Sequence, residues 1–154
     1  MTASTTASDI ATVRPATSSD LPAVERLLTE SDLPVMGVRE ALKDFVVAES
    51  QGEIVGVAGL EICGTDALLR SVAVKPDWRS KGVGRAVVTR AIAEAEARGL
   101  RTLYLLTTTA ETWFPSFGFA KVERENVPAA VRATIEFTTV CASSATAMSR
   151  ALRG

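Results

Sequence analysis

Alternating and helical apolar patterns succeed one another along this chain, and each change of period marks an element. Thr12 to Ala16 reads as a short first strand. Leu21, Val24, Leu27 and Leu28 recur at helical spacing, so a helix runs to about Glu30. Thr17 and Asp20 form a capping box before it, and Pro22 suits the first turn. Asp32-Leu33-Pro34 ends that helix, and a short helix follows from Val38 to Lys43. Phe45 to Glu49 and Glu53 to Cys63 read as strands joined by a Gln51-Gly52 turn. After the Gly64-Thr65-Asp66 turn, Ala67 to Val74 is the next strand. Gly82 to Arg98 is an amphipathic helix whose stripe is Val83, Val87, Val88, Ala91, Ile92 and Ala95. Gly99 fits its left-handed C-terminal position. Arg101 to Thr107 is a strand, Glu111 to Phe117 a short helix ended by Gly118, and Phe119 to Glu123 a short strand. Pro128 to Phe137 reads as helical and Ala145 to Leu152 as the last strand. This order predicts an α/β fold of the α+β mixed-sheet kind, a mostly antiparallel twisted sheet with helices on both faces.

Composition narrows the class. The 154 residues suffice for one domain with a real core, and no repeat or linker divides them. Residues 1–9 are small and polar and read as a disordered tail, leaving 10–154 as the single domain. A net charge of -1 argues against nucleic acid or an anionic membrane as the main partner. No apolar run approaches the roughly 20 residues of a membrane span, and the N-terminus lacks the pattern of a signal peptide. Cys63 and Cys141 form no C-x-x-C pair, so a reducing cytoplasm is the expected compartment. There is no histidine, which excludes Ser-His-Asp and Cys-His catalysis and makes a metal site unexpected. Acid–base chemistry is left to carboxylates, hydroxyls, amines or water.

One segment carries a chemical signature. The apolar strand Ala67 to Val74 is followed by Lys75-Pro76-Asp77-Trp78 and then by Arg79-Ser80-Lys81-Gly82-Val83-Gly84-Arg85, which opens the long helix. Such a loop aims backbone N–H groups at one point, and the helix start adds partial positive charge. Gly82 and Gly84 permit close backbone approach, and Arg79, Lys81 and Arg85 add charge-assisted contacts. This is an anion site suited to a pyrophosphate. It is neither a Walker A loop nor a Rossmann fingerprint, because neither Gly-Lys-Ser/Thr nor a third glycine follows.

The spacing Arg79-x-x-Gly82-x-Gly84 resembles the acyl-CoA signature of the GNAT acetyltransferase superfamily. The resemblance implies a GNAT-like fold and acetyl-CoA as cosubstrate. It implies that Val72, Ala73 and Val74 bind pantetheine through their backbone, and that Arg79, Ser80, Lys81, Gly82, Val83, Gly84 and Arg85 bind the pyrophosphate. Leu105 to Phe119, with Ala73 to Arg79, is similar to the acetyltransferase domain of N-acetylglutamate synthases. Arg132-Ala133-Thr134, Glu136-Phe137-Thr138 and Cys141 look closer still to the arsenic-resistance N-acetyltransferase family (ArsN). Both resemblances imply transfer to the α-amine of a small anionic amino acid, either glutamate or an arsenic- or phosphorus-bearing analogue.

Two positions depart from the family pattern. Many members carry a tyrosine four residues before the Gly-Phe pair to protonate the leaving thiolate, where this chain has Phe114. The only tyrosine, Tyr104, reads as core. Thr107 is either a hydrogen-bond donor to the thiolate or a strand-end cap, and Thr108 and Thr109 serve the cap or the substrate. Leu68 stands where several members place a glutamate base. If Cys63 pairs with Leu68, Glu61 lies opposite Arg70, as a base acting through water or as an ion-pair partner. An arginine in an apolar strand must be paired or face a cleft, and Arg70 is expected to bind the acceptor's anionic group. Arg132 and Arg39 are candidates for its second anionic end. A non-catalytic acyl-CoA sensor is the rival from another class. Homodimerisation is possible, with the segment from Ala142 to Leu152 available to pair or swap.

Overall fold

The computed structural model describes residues 11–134, 137 and 145–153. The expected N-terminal tail, and Glu136, Thr138 and Cys141, lie outside the described residues. The strands are β1 (Thr12–Pro15), β2 (Phe45–Ser50), β3 (Glu53–Cys63), β4 (Asp66–Val74), β5 (Thr102–Thr107), β6 (Ala120–Lys121) and β7 (Thr146–Ala151). The α-helices are α1 (Leu21–Glu30), α2 (Val38–Ala41), α3 (Val83–Ala97) and α4 (Ala129–Arg132). The strands form a seven-stranded mixed sheet in the order β1-β2-β3-β4-β5-β7-β6. β1/β2, β2/β3, β5/β7 and β6/β7 are antiparallel, whereas β4 and β5, joined through α3, are parallel.

The chain forms two compact units. The first comprises the residues up to Gly59 with Ser71–Ala91. Leu21, Val24, Leu27 and Leu28 of α1 share its core with Val38, Leu42, Phe45, Val47 and Val57. The capping box forms as expected, with the Thr17 N–H donating to Asp20 Oδ2 at 2.8 Å. Arg14 makes a two-point contact with Asp20 at 2.8 and 3.0 Å and donates to Glu49 at 2.7 Å. Two glycines of β3 make room for side chains. A Cβ at Gly59 would stand 2.3 Å from the Phe45 ring, and one at Gly56 would stand 2.6 Å from Val83 Cγ1.

The second unit comprises Leu60–Arg70 with the residues from Ile92 onward. Leu68, Tyr104, Val127, Val131, Phe137 and Ala147 form one of its cores. Trp113 packs edge-on against Phe114 and Phe117, and Phe114 against Phe119. Arg150 fastens this segment by donating from Nε to the Phe117 carbonyl at 2.7 Å, while its Nη1 reaches Glu96 at 3.3 Å.

Three expectations are corrected. The helix expected over Glu111–Phe117 is reduced to a 3-10 turn at Phe114–Phe117, because Pro115 has no N–H to continue an α-helix. The helix from Pro128 closes after one turn, at Arg132, where Thr134 Oγ1 donates to the Val131 carbonyl at 2.7 Å and competes with the backbone ladder. The strand expected over Phe119–Glu123 shortens to Ala120–Lys121 as the chain turns into a 3-10 segment at Arg124–Asn126. Within the C-terminal segment, residues 146–151 form β7, bonded on both edges, to β5 and to β6.

Candidate functional site

The residues expected on the donor side, 72–85, are contiguous and belong to the first unit. The ladder between β4 and β5 ends at Leu68↔Tyr104, yet β4 runs on to Val74. Residues 72–74 follow Ser71, which has a left-handed backbone, φ 61°, uncommon for a residue with a Cβ. Ala73 is buried, while Val72 and Val74 are half-buried. The chain then passes through a 3-10 turn at Pro76–Trp78, and Arg79 Nε donates back to the Val74 carbonyl at 3.3 Å. Ser80 and Gly82 both take positive φ, 70° and 83°, folding the loop tightly before α3. Gly84 does not: it is the second residue of the helix. The Ser80 conformation carried no signal in the sequence, since serine rarely adopts it.

Arg79, Ser80, Lys81, Gly82 and Arg85 are exposed, and Val83 is buried. The first helical bond of α3 runs from the Ala86 N–H to the Gly82 carbonyl. The N–H groups of the first turn lie ahead of that bond and have no acceptor within the helix. A Cβ at Gly82 would meet nothing within 4 Å, so the loop faces open space. Lys81 Nζ lies 5.6 Å from the Trp78 ring centroid, a cation–π contact that periodicity could not reveal. The arrangement can hold a multiply charged anion by backbone donors, fixed dipole and exposed cations.

The residues expected on the acceptor side belong mainly to the second unit. Arg70 and Glu61 are paired, Nη1 to Oε1 at 3.1 Å. The Arg70 side chain is 0% exposed and that of Glu61 28%, so Glu61 is the member solvent reaches. Thr107 is buried, and its Oγ1 accepts the Ala110 N–H at 3.0 Å. The strand-end cap is therefore real. It uses an oxygen lone pair and leaves the hydroxyl proton free to donate elsewhere. Thr108 and Thr109 are exposed beside it. Opposite Thr107 in the ladder, Thr146 donates to Glu111 Oε2 at 2.7 Å.

Arg132 is exposed on α4 and donates from Nε to the Val127 carbonyl at 2.9 Å. Arg39 is exposed on α2 in the first unit. Leu68 and Phe114, at the two departures from the family pattern, are buried. Tyr104 is core as expected, and burial pushes its hydroxyl above the ordinary phenol range. Burial, with the Glu61 and Asp66 charges, pushes the half-buried Cys63 thiol up to about 11, so it is protonated at neutral pH and poorly nucleophilic. Among the described residues, no cluster of potential ligands is suited to a metal ion.

These features belong to a known family. The acetyltransferase (GNAT) domain matches residues 41–121, and the chain is a member of that family. An amino-acid acetyltransferase of Mycobacterium tuberculosis is 34% identical over 131 residues, covering 77% of this chain and 74% of that protein. One from Ectopseudomonas mendocina is 35% identical over 127 residues, covering 77% of this chain but only 29% of that protein's length. The solved structure of Rv2747 from Mycobacterium tuberculosis, in complex with CoA and NLQ, superimposes with a TM-score of 0.79 at 26% identity. It covers 92% of this chain and 99% of that one.

Proposed function

We propose that this chain is an acetyl-CoA-dependent N-acetyltransferase acting by direct attack of a bound amine on the thioester. The acceptor is the α-amine of a small anionic amino acid. The observation that carries the reading is the continuous unit of strand end, basic loop and helix start in residues 72–85. Its exposed cations, open Gly82 face and helix start fit a pyrophosphate. Arg79, Lys81 and Arg85 would hold that group, and the backbone of Val72, Ala73 and Val74 the pantetheine amides. Acetyl-CoA, when bound, supplies the acyl group as an activated thioester.

On the acceptor side an α-amine, with a pKa of about 8, must lose a proton before attack. In our reading the acceptor's anionic group takes over the Arg70 guanidinium in exchange for Glu61. The freed Glu61 carboxylate then accepts the amine proton, directly or through water. Thr107 donates a hydrogen bond to the departing thiolate, which then takes its proton from solvent, while the Thr107 oxygen still accepts the Ala110 N–H. Thr108 and Arg132 complete the acceptor contacts. A high Cys63 pKa supports the absence of an acyl-cysteine step.

Within this class we assign a glutamate-like toxic analogue bearing arsenic or phosphorus, on the resemblance of Arg132-Ala133-Thr134 and the residues after it. Glutamate itself is the metabolic alternative, supported by the relatives that are amino-acid acetyltransferases. The buried Leu68 and Phe114 favour a third reading, an acyl-CoA sensor without turnover. Thiol release from acetyl-CoA, measured with glutamate, a phosphinic analogue and an arsenic-bearing analogue, separates the three. Fastest turnover with an analogue is the expected result. Fastest turnover with glutamate selects the metabolic reading. Tight acetyl-CoA binding with no thiol released by any amine would remove the enzyme reading. Arg70→Lys keeps the charge but loses the planar fork. It should raise the acceptor KM about tenfold and leave the acetyl-CoA KM within about twofold.

A further inference from the structure

We infer that Gly56 is a positioning residue for the phosphate loop, because its bare backbone is the seat on which the first residue of α3 rests. The inference rests on the acetyl-CoA reading above. Gly56 lies in β3, paired with Ala48 of β2. A Cβ there would meet Val83 Cγ1 at 2.6 Å, Ala48 Cβ at 3.5 Å and the Ala73 carbonyl oxygen at 3.6 Å. The last two are ordinary contacts, and only the first is a clash.

Val83 directly follows Gly82, opens α3 and is 5% exposed. Its β-branched side chain has one strongly preferred rotamer in a helix, so it does not swing aside cheaply. A methyl group at position 56 therefore displaces the helix start by roughly 1 Å, until carbon contacts return to about 3.5–4.0 Å. That start carries the left-handed Gly82 and the first-turn N–H groups. Hydrogen bonds to phosphate oxygens keep their strength over only a few tenths of an ångström. The Ala73 carbonyl stays at ordinary contact, so the strand end that would hold pantetheine is spared. The loss falls on the pyrophosphate and not on the thioester or acceptor.

The test uses the full chain, calorimetric CoA binding, and kinetics with acetyl-CoA and with acetyl-pantetheine, which keeps the thioester but lacks the pyrophosphate. Gly56→Ala should raise the CoA Kd and the acetyl-CoA KM about tenfold or more. The acetyl-pantetheine kcat/KM and the acceptor KM should stay within about twofold. Adding Val83→Ala removes Cγ1 and should return the CoA Kd to that of Val83→Ala alone. Equal losses with both thioesters, or no rescue, overturn the inference. Should Gly56→Ala alone fail to fold, the double variant is compared with Val83→Ala. Matching CoA affinity then supports the seat, and weaker affinity overturns it. Wild-type protein that fails to bind CoA sinks the donor reading itself. Wild-type and Gly56→Ala proteins that bind CoA equally sink only the role of Gly56.

Discussion

Asp20 ties the first strand of this protein to its first helix. Its carboxylate takes two hydrogen bonds from Arg14 and one from the Thr17 N–H, and it is 7% exposed. The Arg14 contacts, aided by Thr17, hold its pKa at about 2, below the ordinary 3.8. The unfolded chain therefore binds the proton more readily than the folded one. This contribution is fully present above about pH 4 and is lost as pH falls through 2. We expect urea unfolding to show roughly 1–2 kcal/mol of stability lost over that window, discounted because Arg14 is a third exposed. Asp20→Asn should flatten this part of the profile, and an unchanged profile would contradict the assignment. The capping half of the network was legible, since Thr17 and Asp20 are neighbours in sequence. The Arg14–Glu49 contact was not, because it joins residues 35 positions apart.

Among elements, β3 shows how a strand accommodates large neighbours with glycine. Gly59 pairs with Phe45, whose ring occupies the space a side chain would need. Gly59→Ala should cost about 1–3 kcal/mol in chemical denaturation, as overpacking does. Phe45→Leu in the same chain should recover part of that loss, because it removes the ring edge. No recovery would mean that the cost lies elsewhere. The apolar stripe of α3 was legible in full: Val83, Val87, Val88, Ala91, Ile92 and Ala95 are all buried. Periodicity works there because the helix is long. It fails for short segments, where one local group decides the outcome, such as Pro115 without its N–H or Thr134 bonding back to Val131. The insertion of β7 between β5 and β6 is a pairing between distant segments, which local pattern does not encode.

At the scale of the molecule, the chain passes between its two compact units at 59/60, 70/71 and 91/92, positions that fall within β3, β4 and α3. Continuous backbone of strand or helix, and not a loop, makes every passage. We therefore expect one cooperative thermal transition, with calorimetric and van't Hoff enthalpies equal, and no folded fragment ending at Ala91. Two resolved transitions would contradict this. The same threading explains which parts of the candidate site could be read in advance. The proposed donor side is one run of residues, 72–85, whereas the proposed acceptor side is gathered from Glu61, Arg70, Thr107 and Arg132. Glu61 and Arg70 were within reach of inference because only a short turn separates their strands. The Thr107 cap depended on how the following turn closed. One contact in the donor loop has an optical consequence. Trp78 lies beneath the Lys81 ammonium, and the chain has 2 tryptophans, the other being Trp113. In a Trp113→Phe background, Trp78 is the sole indole emitter, and its fluorescence reports whether Lys81 stays on the ring or leaves it for a phosphate.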